Sequence, residues 1–470
     1  MQQGKRKHHL VLTEGPILKT LMKLAAPIMA TAFLSTAYNL TDAFWVGTIG
    51  AAAVTGVGTG GMYLWLSGGI ITLARTGGQV YTAQSIGAGD RARARGDAHA
   101  AVRLALILGI VYGCLCFFAA DPLLSFFRLN DAQTYRYARE YLRITGGLVV
   151  LSFLSQVLTG LFTAQGDSRT PFICNVLGLA VNMVLDPLLI AGYGPFPRME
   201  AVGAALATVI AQAVVLTVMV VMLYRDKSGE NVLRKPPQGE DNANERQIPK
   251  LPYTKNILRL SLPHAIQSMC YCGFSMVLAR MIAPFGDGAI GVQRIGGQIE
   301  AISWNVADGF AASLNAFTAQ NVGAGKTERY RKGYDYSAAL LFGWGTLVAL
   351  AFYFFAQGIA ELFFHEEAVT LIMVSYLTII SICEPFMCVE ILTVGALAAL
   401  EKTRLSSIIS ISLTGARIPI AFLLTRMGVG IPSFWWALTV TSVLKGIVFF
   451  FTYRIVTKKS RADARPEASA

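Results

Sequence analysis

Twelve stretches of this chain stay apolar for more than twenty residues, and no soluble fold accommodates that many. They fall near residues 17 to 46, 54 to 86, 98 to 127, 137 to 164, 170 to 192, 200 to 224, 256 to 284, 288 to 318, 334 to 363, 369 to 399, 404 to 427 and 432 to 456. About 20 helical residues cross the roughly 30 Å hydrocarbon layer, so each run is long enough to span it. Only 14% of the 470 residues are charged, against roughly a quarter in soluble chains. A membrane β-barrel would alternate over strands of about ten residues, and nothing here alternates. The basic start MQQGKRKHH leads into a run of full spanning length, so a removable leader is not expected.

The net charge of +12 does not point to nucleic acid, because of where it sits. Basic residues follow the even-numbered runs: Arg91, Arg93 and Arg95 after the second, Lys326, Arg329, Arg331 and Lys332 after the eighth, Lys402 and Arg404 after the tenth. The cytoplasmic bias of Lys and Arg then places both termini in the cytoplasm of a cell inner (plasma) membrane. Arg128, Arg136, Arg139 and Arg143, around an expected outer loop, break the pattern. All seven cysteines lie within apolar runs and lack C-x-x-C spacing, so they read as small packing residues.

The chain repeats itself. YTAQSIGAGDRARARG (81 to 96) returns as FTAQNVGAGKTERYRKG (317 to 333), and Pro27 and Pro263 keep the same offset of 236 residues. GLFTAQGDSRT (160 to 170) matches GALAALEKTRL (395 to 405) at an offset of 235. Each half holds six crossings, so the halves should be related by an axis along the membrane normal. The expected fold is all-α, with twelve transmembrane helices in two pseudo-symmetric six-helix bundles. It divides into an N-terminal tail (1–16), a first lobe (17–224), a polar cytoplasmic linker (225–254), a second lobe (255–457) and a C-terminal tail (458–470). The repeated Gly-x-Gly reads as a helix stop at the cytoplasmic face rather than a binding site. GVGTGG (56 to 61) matches the dinucleotide pattern only in letters, since it opens a spanning helix. Close helix packing explains it better. LSGG (66 to 69) is likewise no ATPase element without a phosphate-binding loop.

A charged side chain at mid-membrane costs about 2.5 to 3.5 kcal/mol on the insertion scale, so each one is a functional candidate. Asn39 and Asp42 stand three apart in the first run, Asn182 and Asp186 four apart in the fifth. Two such helices could share a proton or, with the Thr208 hydroxyl of the sixth run, cage a hard cation. The bland alternative is structural pairing with other helices. Pro27 and Pro187 remove backbone donors, which lets these helices bend. Asp42 aligns with Leu278 and Asp186 near Ala421 in the second half, which places the ion site in the first lobe only. The second half carries Glu300, Asp308, Glu384 and Glu390, with Arg417 as its only deep cation besides Arg280 and Arg294; Arg417 reads as a structural ion pair. Met62, Trp65, Tyr271, Met276, Glu300 and Trp304 are candidates to line a substrate cavity, although such aromatics and methionines also serve as core or face lipid.

These motifs together resemble the multidrug and toxic compound extrusion (MATE) family. The segments that carry it are YNLTDAFWVG after Pro27, TAQSIGAG and TAQNVGAG, TAQGDSRTP, VNMVLDP, GAALATVIAQ and VQRIGGQIEAISW. The resemblance implies two bundles in a V shape and export of organic cations in exchange for H⁺ or Na⁺, with no cofactor besides that ion. It assigns Asp42, Asn182, Asp186 and Thr208 to the cation or proton site, Tyr38 and Asn39 to its neighbourhood, and Pro27 to the bend. The seventh run, QSMCYCGFSMV, lacks the carboxylate of the norfloxacin-efflux branch, which favours the DinF-like branch. Small organic substrates and membrane lipids are the expected partners of a monomer. A flippase for lipid-linked sugar or phospholipid is the nearer alternative. An intramembrane enzyme or passive receptor is more distant, since neither H-E-x-x-H nor G-x-S-x-G occurs.

Overall fold

The computed structural model describes residues 10–127, 129, 131–193, 197–225, 232–233 and 253–463. Every regular element among them is helical, as lipid requires of a backbone that must satisfy its own hydrogen bonds. In chain order the first eight helices are α1 (Ile17–Gly47), α2 (Ala51–Gly87), α3 (Arg91–Phe118), α4 (Ala120–Ser125), α5 (Ala132–Tyr141), α6 (Val150–Ala164), α7 (Arg169–Ile190) and α8 (Glu200–Arg225). The rest are α9 (Tyr253–Ile282), α10 (Asp287–Gly323), α11 (Thr327–Phe354), α12 (Ala356–Phe363), α13 (Glu367–Ser381), α14 (Glu384–Ala399), α15 (Thr403–Gly415), α16 (Arg417–Arg426) and α17 (Pro432–Asp463). The chain forms two compact units, one of Met1–Leu12 and Lys23–Ala265, the other of Thr13–Met22 and Ile266–Ala470.

Eight of the described helices are long and apolar enough to span on their own, α15 and α16 run together as a ninth such span over Thr403–Arg426, and α5 with α6 and α13 with α14 form two further spans bent by 46° and 56°. The twelfth is α10, 37 residues long but made more polar by Arg294, Glu300 and Asp308. Several expected runs are therefore broken rather than continuous. The fourth run contains a π-turn, Leu142–Gly146, and the tenth breaks where Pro385 occupies the first turn of α14 and supplies no amide hydrogen. The third and ninth runs end early, at Phe118 and Phe354, before the short helices α4 and α12.

In the first unit α2 packs on α3, α5 and α6, and α7 packs on α8. Its core is built from small residues, such as Ala74, Ala98, Ala101 and Ala105, around Phe153 and Leu161. Helices in lipid gain little from hydrophobic burial against each other, and small side chains let their backbones approach. The GVGTGG glycines show this: a Cβ on Gly56 would lie 2.7 Å from Tyr137 Cβ, and one on Gly60 would lie 3.1 Å from the Ala138 carbonyl oxygen. The second unit centres on Phe352, Met373, Tyr376 and Trp435, the last two rings meeting edge to face at 4.7 Å. All seven cysteines are free.

The repeated stops fold alike. Gly89 and Gly325 hold φ of +77° and +68°, and in each turn the amide two residues after the glycine of the helix end reaches back: Gly89 N–H to Ile86 O and Gly325 N–H to Val322 O, both 3.0 Å. Gly166 and Glu401 form the same turn at the other repeated site, with φ of 82° and 60°. The anomalous arginines also find their reason. Arg139 and Arg143 bind Asp121 at 2.7 and 3.1 Å, and Arg136 binds Glu140 at 2.9 Å; Arg128 lies outside the described residues.

Of the expected tails and linker, residues 1–9, 226–231, 234–252 and 464–470 lie outside the described residues. Helix α17 continues to Asp463, so the first part of the expected C-terminal tail is helical. Within the linker, Val232 is buried and its N–H donates to Gln165 Oε1 at 3.2 Å.

Candidate functional site

Helical spacing brings the first unit's polar residues onto common faces. Tyr38 and Asp42 are four apart on α1, and Asn182 and Asp186 four apart on α7, each pair sharing one side of its helix. Asn182 and Asp186 are buried at 1% and 0% exposure. With its amide turned as the surrounding donors and acceptors require, Asn182 donates to Asp186 Oδ2 at 2.9 Å and accepts from the Thr208 N–H at 3.2 Å. The Thr208 hydroxyl lies 3.2 Å from Tyr38 Oη and donates to the Ala204 carbonyl at 2.9 Å. Asp42 is half-buried, and its charge acts on Asp186; both charges act on Tyr38 and Tyr141. One neighbourhood thus joins α1, α5, α7 and α8. Asn39 stands apart, exposed on α1, whereas the Tyr38 hydroxyl reaches Thr208 of α8.

Asp42 Oδ1 and Asp186 Oδ1 are buried and have no hydrogen-bond partner among the described residues. Such oxygens carry the full cost of lost hydration, and a proton or a hard cation would restore their partners. Both prolines stand inside unbroken helices, Pro27 in α1 and Pro187 in α7, so the carbonyls four residues earlier lose their amide donors. Tyr141 escapes a search for intramembrane acids. Its signal is its place at the end of α5, one turn after Tyr137, just before the π-turn; such turns are frequent at functional sites.

In the second unit the positions aligned with the acids, Leu278 and Ala421, are buried and apolar. The polar interior is built differently. Lys445, which the sequence reading passed over, is buried at 4% exposure and donates to Glu390 Oε1 at 2.7 Å. Arg417 is therefore not the only deep cation besides Arg280 and Arg294. The Arg417 guanidinium, expected to form an ion pair, makes its hydrogen bonds to hydroxyls, Nε to Thr441 Oγ1 and Nη2 to Ser442 Oγ, both at 3.0 Å. It acts on Glu300 and Tyr271 through space. Glu384 is fully buried, and neither carboxylate oxygen has hydrogen-bond geometry to another described residue, although Ser303 influences it. Of the candidate cavity residues, Met62 and Trp65 belong to the first unit and are exposed. Tyr271, Met276, Glu300 and Trp304 belong to the second; Tyr271 and Met276 are exposed and Glu300 is buried.

Twelve spans in two repeated six-helix units define a multi-pass helical membrane protein with the MATE-type fold. A solved multidrug resistance MATE family transporter of the MOP superfamily, in an outward-facing conformation, superposes with a TM-score of 0.87 at 21% identity, covering 95% of this chain and 97% of that one. The chain belongs to the MatE family, whose model matches residues 27–188 and again 263–423. The two matches begin at Pro27 and Pro263, the pair that marks the repeat. Similar relatives include a probable multidrug resistance protein NorM of Thermotoga maritima, 28% identical over 89% of this chain and 88% of that one. Another is an FAD transporter of Shewanella oneidensis, 25% identical over 96% and 97%.

Proposed function

We propose that this protein exports organic, mostly cationic amphiphilic compounds by antiport against H⁺ or Na⁺, using alternating access. The observation that carries the reading is the pair of buried, unpartnered carboxylate oxygens on Asp42 and Asp186, in one neighbourhood with Asn182, Thr208, Tyr38 and Tyr141. An incoming ion neutralises the two acids, α1 bends at Pro27, and the substrate leaves on the outer side. One charge crossing 100 mV supplies about 2.3 kcal/mol. The candidate substrate-contacting residues are Met62 and Trp65 in the first unit and, in the second, Tyr271, Met276 and Trp304 with Glu300 to oppose a cationic charge. The protein works as a monomer in the cell inner membrane with both termini cytoplasmic, and no cofactor besides the coupling ion takes part. The multidrug resistance name of the relative covering 89% of the chain supports export of drugs.

The flippase alternative needs a basic interior. Lys445 adds a cation there, but Glu390 matches it at 2.7 Å. Ethidium efflux from proteoliposomes under a pH gradient alone, then a Na⁺ gradient alone, tests the proposal: one of them must drive export. If neither does, while a fluorescent lipid changes leaflet, the antiport reading fails and the flippase reading replaces it.

A further inference from the structure

An apolar groove of about 410 Å³ opens on the second unit, between α11 and α17. One wall is the α11 stripe Asp335, Ala338, Ala339 and Phe342, spaced as a single helical face; the other includes Gly446, Phe450 and Arg454 of α17. The floor is Phe386 and Val389 of α14. Small residues create the space: Ala338 and Ala339 fill little of it, and Gly446 lets α17 settle onto α14, since a Cβ there would lie 2.5 Å from the Phe386 carbonyl oxygen. Phe342 meets Phe386 edge to face at 5.9 Å, and the Arg454 guanidinium sits 5.0 Å from the Phe450 ring centre.

The charge is confined to one end. Arg454 binds Asp335 at 2.9 Å, each side chain remaining about two-fifths exposed. Lys332 lies one turn before Asp335 and Lys458 one turn after Arg454, both exposed. Each helix thus carries its groove-facing stripe on into a lysine. Three cations against one carboxylate leave that end positive, while the rest of the groove is apolar, with exposed Phe342, Ile447 and Phe451 at its rim. A free anion would gain nothing from the apolar length, and an uncharged lipid nothing from the basic end.

The geometry points to a binding site for an anionic phospholipid, with one acyl chain lying in the groove over Phe386 and the headgroup phosphate held by Arg454, Lys332 and Lys458. Juxtamembrane basic residues each strengthen binding to anionic lipid severalfold. The surface is independent of the candidate ion site, which lies in the first unit.

The test uses the full-length protein, purified and delipidated, with phosphatidylglycerol and phosphatidylcholine compared by native mass spectrometry. Phosphatidylglycerol should be retained at least about fivefold better than phosphatidylcholine. Lys332→Gln with Lys458→Gln, which leaves the Arg454–Asp335 pair intact, should remove most of that preference. Ala339→Phe, at an exposed lining position, should block retention while the protein still elutes as a single species. Equal retention of the two lipids overturns the headgroup assignment, and retention unaffected by Ala339→Phe overturns the groove. Complete displacement by glycerol phosphate would show a plain anion site and overturn the proposal as well.

Discussion

Lys445→Met would strand Glu390 in the interior of the second unit, with its 2.7 Å counter-ion gone. Removing one partner of a buried pair costs about 3 to 5 kcal/mol, whereas replacing both by apolar groups is often neutral. Lys445→Met should therefore lower the melting temperature in detergent sharply, and adding Glu390→Leu should restore most of it. An equal loss in single and double variants would show that Lys445 does not act through the pair. In the first unit, Asp42→Asn and Asp186→Asn keep shape and remove charge. Both variants should fold and abolish efflux; full ethidium export by Asp42→Asn would rule the site out. The acids and Asn182 are visible in the sequence because ionisable groups are rare in apolar runs. Tyr141 is not, because a tyrosine near a membrane boundary is common and only packing brings it to Thr208 and the acids. Lys445 is a different case: it stands in an apolar run where the same rarity rule applies, yet it was not among the sequence candidates, and its role appears only with Glu390 opposite.

At the scale of elements, the repeated turns make a quantitative claim. A Cβ on Gly325 would meet nothing within 4 Å, yet its φ is +68°. Gly325→Ala should therefore cost about 1 to 2 kcal/mol through backbone strain alone, and Gly89→Ala the same, measured as a loss of thermal stability. An unchanged melting temperature would show that the turn is not held in this conformation. Beside α4, the Tyr135 hydroxyl at 2.9 Å and the Arg139 and Arg143 guanidiniums hold the Asp121 carboxyl below the usual carboxylate range. A carboxyl lowered in the folded state contributes stability above its unfolded value, near 3.9, and that contribution disappears as pH falls through the folded value. Wild type should be more stable than Asp121→Asn at pH 7, and the difference should shrink as pH falls below the ordinary carboxylate range and through the lowered folded value. The apolar runs located the spans, but not the bends. A run of apolar letters looks alike whether straight or broken at a π-turn, because the break depends on what packs beside it.

For the whole molecule, antiport requires that ion and substrate favour different states. Lower pH or added Na⁺ should weaken ethidium binding to the purified protein, and by reciprocity ethidium should weaken ion binding by the same factor. Asp186→Asn should still bind ethidium but lose this sensitivity; undiminished sensitivity in that variant would place the coupling elsewhere. The sequence by itself determined the twelve crossings, their duplication and the confinement of paired acids to one half, because solvation by lipid and the periodicity of the helix act residue by residue. Only the tertiary structure decided that Tyr38 rather than Asn39 meets Thr208, that Tyr141 joins the acids, that Lys445 answers Glu390, and that a groove runs between α11 and α17. These depend on which helix faces abut. That is a matter of small-residue packing spread over many weak contacts, which leaves no local mark in the chain.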